Sequence, residues 1–287
     1  MTELHRGSST NVRFDASNRP DRAVEHPAGD RAFPLDGPVN GRDLGGLRTV
    51  DGGTIRRGVL FRSDAFEQST VNDVRRLTDA GIELVIDLRT PTEVRTRGAG
   101  VLGTSSIEIR NIPVVDENHQ IHSEGMRSLG LHWADIYEMM LTDGAEAFRQ
   151  VFAAVDEADG AVLFHCQVGK DRTGMVAALL LGVAGCADDV IADDYALTTH
   201  AMPIMRMRMY ERIREQRGEN GARWVLDPAQ DEALSSTREA MLDLLGRLRG
   251  HHGTIENYLD HIGIPPDRVE RVRDRLRDEP ITSRAAA

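Results

Sequence analysis

The run His165-Cys166-Gln167-Val168-Gly169-Lys170-Asp171-Arg172-Thr173-Gly174 gathers a thiol, an imidazole, a carboxylate, a hydroxyl and two cations in one short stretch. The chain holds 35 Lys and Arg together, and Lys170 is the sole lysine among them. Cys166 and Arg172 are separated by five residues, the length of a loop that can wrap one tetrahedral oxyanion. Backbone N–H groups of such a nest point inward, and Gly169 and Gly174 permit the backbone angles and close approach this requires. A thiol in that field is acidified by Lys170, Arg172 and a protonated His165, and thiolates so placed ionise at about 3.5–7.5 instead of about 8.5. Cys166 then reads as a nucleophile at neutral pH. Arg172 offers a planar fork of donors for two oxygens of a transferring phosphoryl group, where charge collects in a loose transition state. Thr173 can donate its hydroxyl to the sulfur, making it a better leaving group when water attacks. An isolated cysteine would read as a small buried core residue; these neighbours at fixed offsets turn the reading toward covalent catalysis, with Gln167, Val168, Gly169, Lys170 and Gly174 supplying the phosphate nest.

Positioning such a loop takes a strand before it and a helix after it. Ala161-Val162-Leu163-Phe164 is an apolar run that reads as a buried strand, and residues 175–183 read as a buried helix. The loop therefore joins a strand end to a helix N-terminus, which adds the positive end of the helix dipole to the N–H groups.

A leaving alkoxide or phenoxide needs a proton, so one carboxylic acid belongs within reach of the scissile oxygen. Three candidates stand open. Asp171 comes first, because its place relative to the nucleophile is fixed by sequence; it could equally be an ion-pair partner that orients Arg172. Asp116 follows the apolar run Ile112-Pro113-Val114-Val115, read as a strand, where a loop could carry an acid. Asp87 ends a strand beside Arg89 and could equally be that arginine's structural partner.

At these residues the chain resembles the cysteine-dependent phosphatases, whose shared element is HCxxGxxR[ST]G, and more narrowly the bacterial tyrosine/lipid phosphatase family. Asn40-Gly41-Arg42-Asp43-Leu44-Gly45-Gly46 is similar to that family's opening motif, Leu60-Phe61-Arg62-Ser63 to its next strand, and Val85-Ile86-Asp87-Leu88-Arg89 followed by Glu93 to its DLR segment. The likeness runs over residues 33–276. It implies an α/β fold with a mainly parallel central sheet flanked by helices and the catalytic loop at a strand's carboxyl end. It further implies hydrolysis of phosphotyrosine, with phosphoserine, phosphothreonine and phosphoinositides as further substrates. Asp171 directly before the loop arginine resembles the phosphoinositide phosphatases of the myotubularin and Sac type, which makes a primarily phosphoinositide-directed enzyme the alternative.

The rest of the chain sets bounds. Residues 1–32 mix Ser, Asn, Pro and both charges without apolar periodicity and read as a disordered extension, leaving one phosphatase domain over residues 33–280. No apolar stretch is long enough for a secretory signal or a membrane span, so the expected location is the cytoplasm, with export by another route left open by the family resemblance. The formal charge of −11 argues against nucleic acid as partner. Cys186, after an apolar run, reads as a small buried side chain, with a resolving thiol as the other reading. The acidic group Asp188, Asp189, Asp193 and Asp194 reads as partners of a helix dipole, and the chemistry needs neither metal nor cofactor. Residues 202–217 read as a helix with Met202, Met205, Met209 and Ile213 on one face and Arg206, Arg208, Arg212, Arg214 and Arg217 elsewhere: an ordinary packed helix, or a lid over the pocket.

Two other functions share these features. A rhodanese-like sulfurtransferase also heads an anion-binding loop with cysteine, and a phospholigand-binding module that no longer turns over would keep the nest. The intact set of Cys166, Arg172 and Thr173 favours the phosphatase.

Overall fold

The structure is a computed structural model that describes residues 27–115, 133–228 and 236–278. Its central sheet has five strands in the order β1 (Arg42–Asp43), β3 (Leu60–Ser63), β6 (Ala161–His165), β4 (Ile82–Asp87) and β5 (Glu108–Asn111). β1 runs antiparallel to β3, and the remaining neighbours are parallel. A separate antiparallel pair joins β2 (Thr54–Ile55) to β7 (Arg277–Asp278). The near-continuous apolar runs of β4 and β6 are what strands covered on both faces require.

The two-residue period of these strands sorts their side chains into two cores. Leu60, Leu84, Ile86, Val162 and Phe164 point to the larger one, filled by helices. Phe61, Val85 and Leu163 point the other way, into a smaller core closed by Phe66, Leu77 and Leu102. The helices are α1 (Val71–Asp79), α2 (Pro91–Arg97), α3 (Trp133–Asp143), α4 (Ala145–Glu157), α5 (Asp171–Val183), α6 (Asp188–Ala196), α7 (Met202–Ala222), α8 (Arg238–His252), α9 (Ile255–His261) and α10 (Pro266–Leu276). The mainly parallel sheet flanked by helices is the architecture the loop motif requires.

Register matters most at one edge of the sheet. Ser63 and Asp87 both pair with His165, so the carboxyl ends of β3, β6 and β4 finish level. In open α/β sheets the crevice at those ends is where ligands bind.

Two readings of the sequence change here. The run 112–115 is not a strand: β5 ends at Asn111, and the chain continues beside β4 through Ile112 N–H to Asp87 O at 2.9 Å and Val114 N–H to Leu88 O at 3.4 Å. These two contacts run on either side of Pro113, whose missing N–H would face away from β4, and they do not extend the strand beyond Asn111. Residues 27–32, read as part of the extension, carry a 3-10 turn at Gly29–Arg31, and Arg31 Nη1 lies 2.9 Å from Asp194 Oδ1 with its side chain largely buried. Its apolar neighbourhood is sparse, so periodicity gave no signal for a contact made by one long cation.

Candidate active site

Cys166 directly follows β6 and is buried, and α5 begins five residues later at Asp171. The intervening loop is shaped by Gly169, whose φ of +70° lies in the left-handed region. A Cβ there would sit 2.4 Å from the Ser63 carbonyl oxygen and 2.8 Å from Asn40 Nδ2, so conformation and space both demand glycine.

The loop's carbonyls are tied back from behind. Asn40 Nδ2 donates to Gly169 O at 3.2 Å and Val168 O at 3.4 Å, and Arg62 Nη2 donates to Gly169 O at 2.8 Å. A trans peptide unit points its N–H opposite to its C=O, so fixing these carbonyls turns the N–H groups of Gly169 and Lys170 toward the loop's open side. That is the orientation an anion nest needs.

The two donors are themselves fixed. Arg42 Nη1 donates to Asn40 Oδ1 at 2.7 Å, and Arg31, Arg42 and Arg62 converge on Asp194 at 2.9, 3.1 and 2.9 Å. Burial alone would raise the Asp194 carboxyl, but the three guanidinium charges outweigh it and hold the group well below the ordinary carboxylate range. Asp194 lies near the end of α6, so the dipole reading given to it from sequence does not hold; its partners are arginines from three distant segments. Asp188 and Asp193 pair with Arg249 and Arg238.

Arg172, in the first turn of α5, is aimed by Glu93. Nη1 donates to Glu93 Oε2 at 2.5 Å and Nη2 to Oε1 at 3.0 Å. Glu93 is itself held by α2, where Thr90 and Glu93 form a reciprocal capping box and Pro91 opens the helix. Burial works to raise the Glu93 carboxyl, but the hydrogen bond and charge of Arg172 prevail and hold it at about 2. Burial likewise opposes the charge on Arg172, and the negative charges at Cys166, Glu93 and Asp171 more than offset it. A guanidinium has five N–H donors. Nη1 also reaches Leu88 O at 3.5 Å, which leaves Nε–H and one Nη2–H without a partner among the described residues. Those two form the side-on fork that suits two oxygens of a phosphoryl group.

The supporting residues resolve as follows. Asp87 clasps Arg89 through contacts of 2.7–3.1 Å. Burial pushes its carboxyl up, but His165 and Arg89 outweigh that and leave it below the ordinary value, which favours its reading as the arginine's partner. His165 is buried, its pKa lowered chiefly by burial, and Nδ1 lies 2.9 Å from Cys166 O. Since a carbonyl only accepts, Nδ1 carries the proton. Burial thus works against the positive charge that His165 could add beside the thiol. Thr173 Oγ1 is buried without a hydrogen-bond partner among the described residues, so its expected bond to sulfur is not formed. Lys170 Nζ lies 4.0 Å above the Trp133 ring and 3.6 Å from Asp171 Oδ1. Gln167 Nε2 donates to Glu67 Oε1 at 3.2 Å. Asp116 lies outside the described residues.

A profile of the tyrosine phosphatase family matches residues 33–278. The chain belongs to the tyrosine phosphatase family. Within it, the chain is 29% identical over 232 residues to a tyrosine-protein phosphatase of Nostoc commune, covering 77% of this chain and 76% of that one. It is 28% identical over 276 residues to the triple specificity protein phosphatase PtpB of Mycobacterium tuberculosis, covering 84% and 98%. A solved structure of P. aeruginosa TpbA aligns at 16% identity with a TM-score of 0.32, over 73% of this chain and 89% of that one.

In this family member, the loop borders a cleft of about 530 Å³, counting the solvent it opens to. Its walls are Gln167 and Val168 on one side and Met202, Met205, Arg208 and Arg212 of α7 on the other. Met202 and Met205 pack against Val168 of the loop itself. Arg208 Nη1 lies 3.8 Å from Asp64, and Arg212 Nη1 lies 3.9 Å from Glu67. The helical signal of residues 202–217 is real, and the left-handed Gly218 at φ 74° interrupts it directly afterwards.

Cys186 is buried, and burial with the charge of Asp194 pushes its thiol up to about 12. Cys166 and Cys186 flank opposite ends of the 13-residue α5, a span of about 20 Å at 1.5 Å per residue. A resolving role has no geometry in this fold. Asp194, Asn40 and Tyr137 carried no functional role in the sequence reading, because each acts through partners far away in the chain.

Proposed function

We propose that this chain is a metal-independent, cysteine-dependent protein-tyrosine phosphatase that also accepts other phosphomonoesters. The observation that carries the reading is Cys166 directly after β6, five residues ahead of α5, with Arg172 clamped by Glu93 and its side-on fork without a partner among the described residues. In the first step the Cys166 thiolate attacks phosphorus in line. A P–S bond forms, the P–O bond to the leaving oxygen breaks, and Asp171 gives that oxygen its proton. In the second, water attacks the cysteinyl-phosphate, Asp171 takes the water's proton, and the P–S bond breaks to release inorganic phosphate and restore the thiolate. Arg172 and the loop N–H groups hold the equatorial oxygens in both transition states. For the departing sulfur we assign Thr173, whose buried hydroxyl has no hydrogen-bond partner among the described residues and would have to turn toward the sulfur as the P–S bond breaks.

A phosphoinositide-directed enzyme is the second reading, favoured by Arg208 and Arg212 lining the cleft beside the loop. Wild type and Cys166→Ser should be compared on phosphotyrosine peptide, phosphoserine peptide and phosphoinositides, with chelator and no added metal. Turnover confined to wild type supports the cysteine mechanism, and the ranking of substrates decides between the readings. Binding of phospholigands without any turnover would instead make the chain a recognition module.

A further inference from the structure

Tyr137 lies on α3 and Tyr195 on α6, and both are fully buried. The Tyr137 hydroxyl donates to Asp171 Oδ1 at 2.5 Å, and the Tyr195 hydroxyl lies 2.5 Å from that of Tyr137. A phenol has one proton; with Tyr137's given to the carboxylate, its oxygen can only accept, so Tyr195 donates to it. Three elements thus meet in one directed chain, Tyr195 to Tyr137 to Asp171.

The packing is built around it. A Cβ on Gly174 would lie 2.7 Å from the Tyr195 ring, so the last glycine of the loop motif makes room for this tyrosine. The Tyr137 ring meets the Tyr195 ring edge-on at 6.4 Å and the Trp133 ring at 5.6 Å. Lys170 sits over that same Trp133 and 3.6 Å from the same Asp171 oxygen. Oδ1 of Asp171 is thereby engaged twice, while Oδ2 takes no hydrogen bond among the described residues.

We infer that Tyr137, backed by Tyr195, is a positioning residue for the leaving-group acid: it anchors one oxygen of Asp171 so that the other delivers the proton. Burial and then the charge of Asp171 raise the Tyr137 pKa well above its ordinary value, so it stays a neutral donor throughout the working range. A donor fixed on Oδ1 also stabilises the carboxylate left once the proton has gone.

This inference rests on the proposed role of Asp171, and one assay separates the two. Let kcat/KM be measured for an aryl phosphate with a good leaving group, such as p-nitrophenyl phosphate, and one with a poor leaving group, phenyl phosphate. General acids contribute roughly 10²–10⁴-fold, and a positioning bond accounts for part of that. In Tyr137→Phe the good-to-poor ratio should rise about tenfold, and in Tyr195→Phe about threefold. Asp171→Asn should raise it about a hundredfold or more. If Asp171→Asn raises the ratio while folded Tyr137→Phe and Tyr195→Phe leave it at the wild-type value, the inference falls and the acid stands. If Asp171→Asn itself leaves the ratio unmoved, the assignment of the acid falls and takes this inference with it. Should Tyr137→Phe fail to fold, Tyr195→Phe decides, since it keeps the Tyr137 hydroxyl on the carboxylate and loosens only its support.

Discussion

Glu93 shows how a single side chain serves two levels of structure. Its carboxylate closes the cap of α2 and also clamps the arginine that would hold the phosphoryl group. Replacing it by Gln keeps the shape and removes the charge. We expect Glu93→Gln to lower kcat/KM by roughly 10–100-fold through a loosened Arg172, since breaking one partner of a buried charge pair costs a few kcal/mol. The pH dependence follows from the depressed carboxyl. Held at about 2 in the fold against 4.5 ordinarily, Glu93 contributes stability that is fully present above pH 4.5 and lost as pH falls toward 2. By linkage this is roughly 3 kcal/mol at most. Denaturant unfolding should show wild type more stable than Glu93→Gln at pH 6, with the gap narrowing as pH drops below 4.5. A gap that ignores pH would contradict the pairing. The sequence offered Glu93 only as a companion of the Asp87-Leu88-Arg89 segment. Its partner, Arg172, was read as a phosphate binder, but no spacing rule joins residues 79 positions apart.

At the scale of elements, strand β6, the loop and helix α5 were legible because each has a local cause. An apolar run makes the strand, glycines permit the turn, and a helix N-terminus follows. The same logic misread residues 112–115, where apolar side chains are buried without a regular ladder. Hydrophobicity reports burial and leaves the backbone conformation open. Gly169 offers a direct test of the turn. Gly169→Ala puts a Cβ into both a left-handed conformation and the Ser63 carbonyl, so we expect a loss of roughly 1–3 kcal/mol in stability. Activity should fall with it, because the Gly169 carbonyl is what Asn40 and Arg62 grip. Unchanged unfolding midpoint and turnover would show that the loop is not held as described. Helix α7 was legible as amphipathic, and its seat on Val168 could not be read, since no local pattern says which surface a helix face will cover.

Across the whole molecule, the network centred on Asp194 ties the turn at Gly29–Arg31, β1, β3 and α6 to the back of the loop after β6. Arg42 and Arg62 stood out in the sequence as parts of motifs, but the carboxylate that gathers them is one aspartate among four in a short acidic stretch. Only the tertiary fold distinguishes it. Asp194→Asn would leave three converging arginines without a counter-charge, and we expect roughly 3–5 kcal/mol of destabilisation with weakened turnover in whatever folds. Thermal unfolding at neutral pH checks this, and a shift of the midpoint within error would count against the network. In the proposed mechanism these supports all serve one sulfur atom, and its chemistry can be read directly. Mixing the protein with an aryl phosphate, quenching in acid within one turnover and mapping the modified peptide by mass spectrometry should place a phosphoryl group on Cys166, with none found in Cys166→Ser. Phosphate release without a phosphoryl group on Cys166, or turnover that survives the serine substitution, would contradict the covalent mechanism.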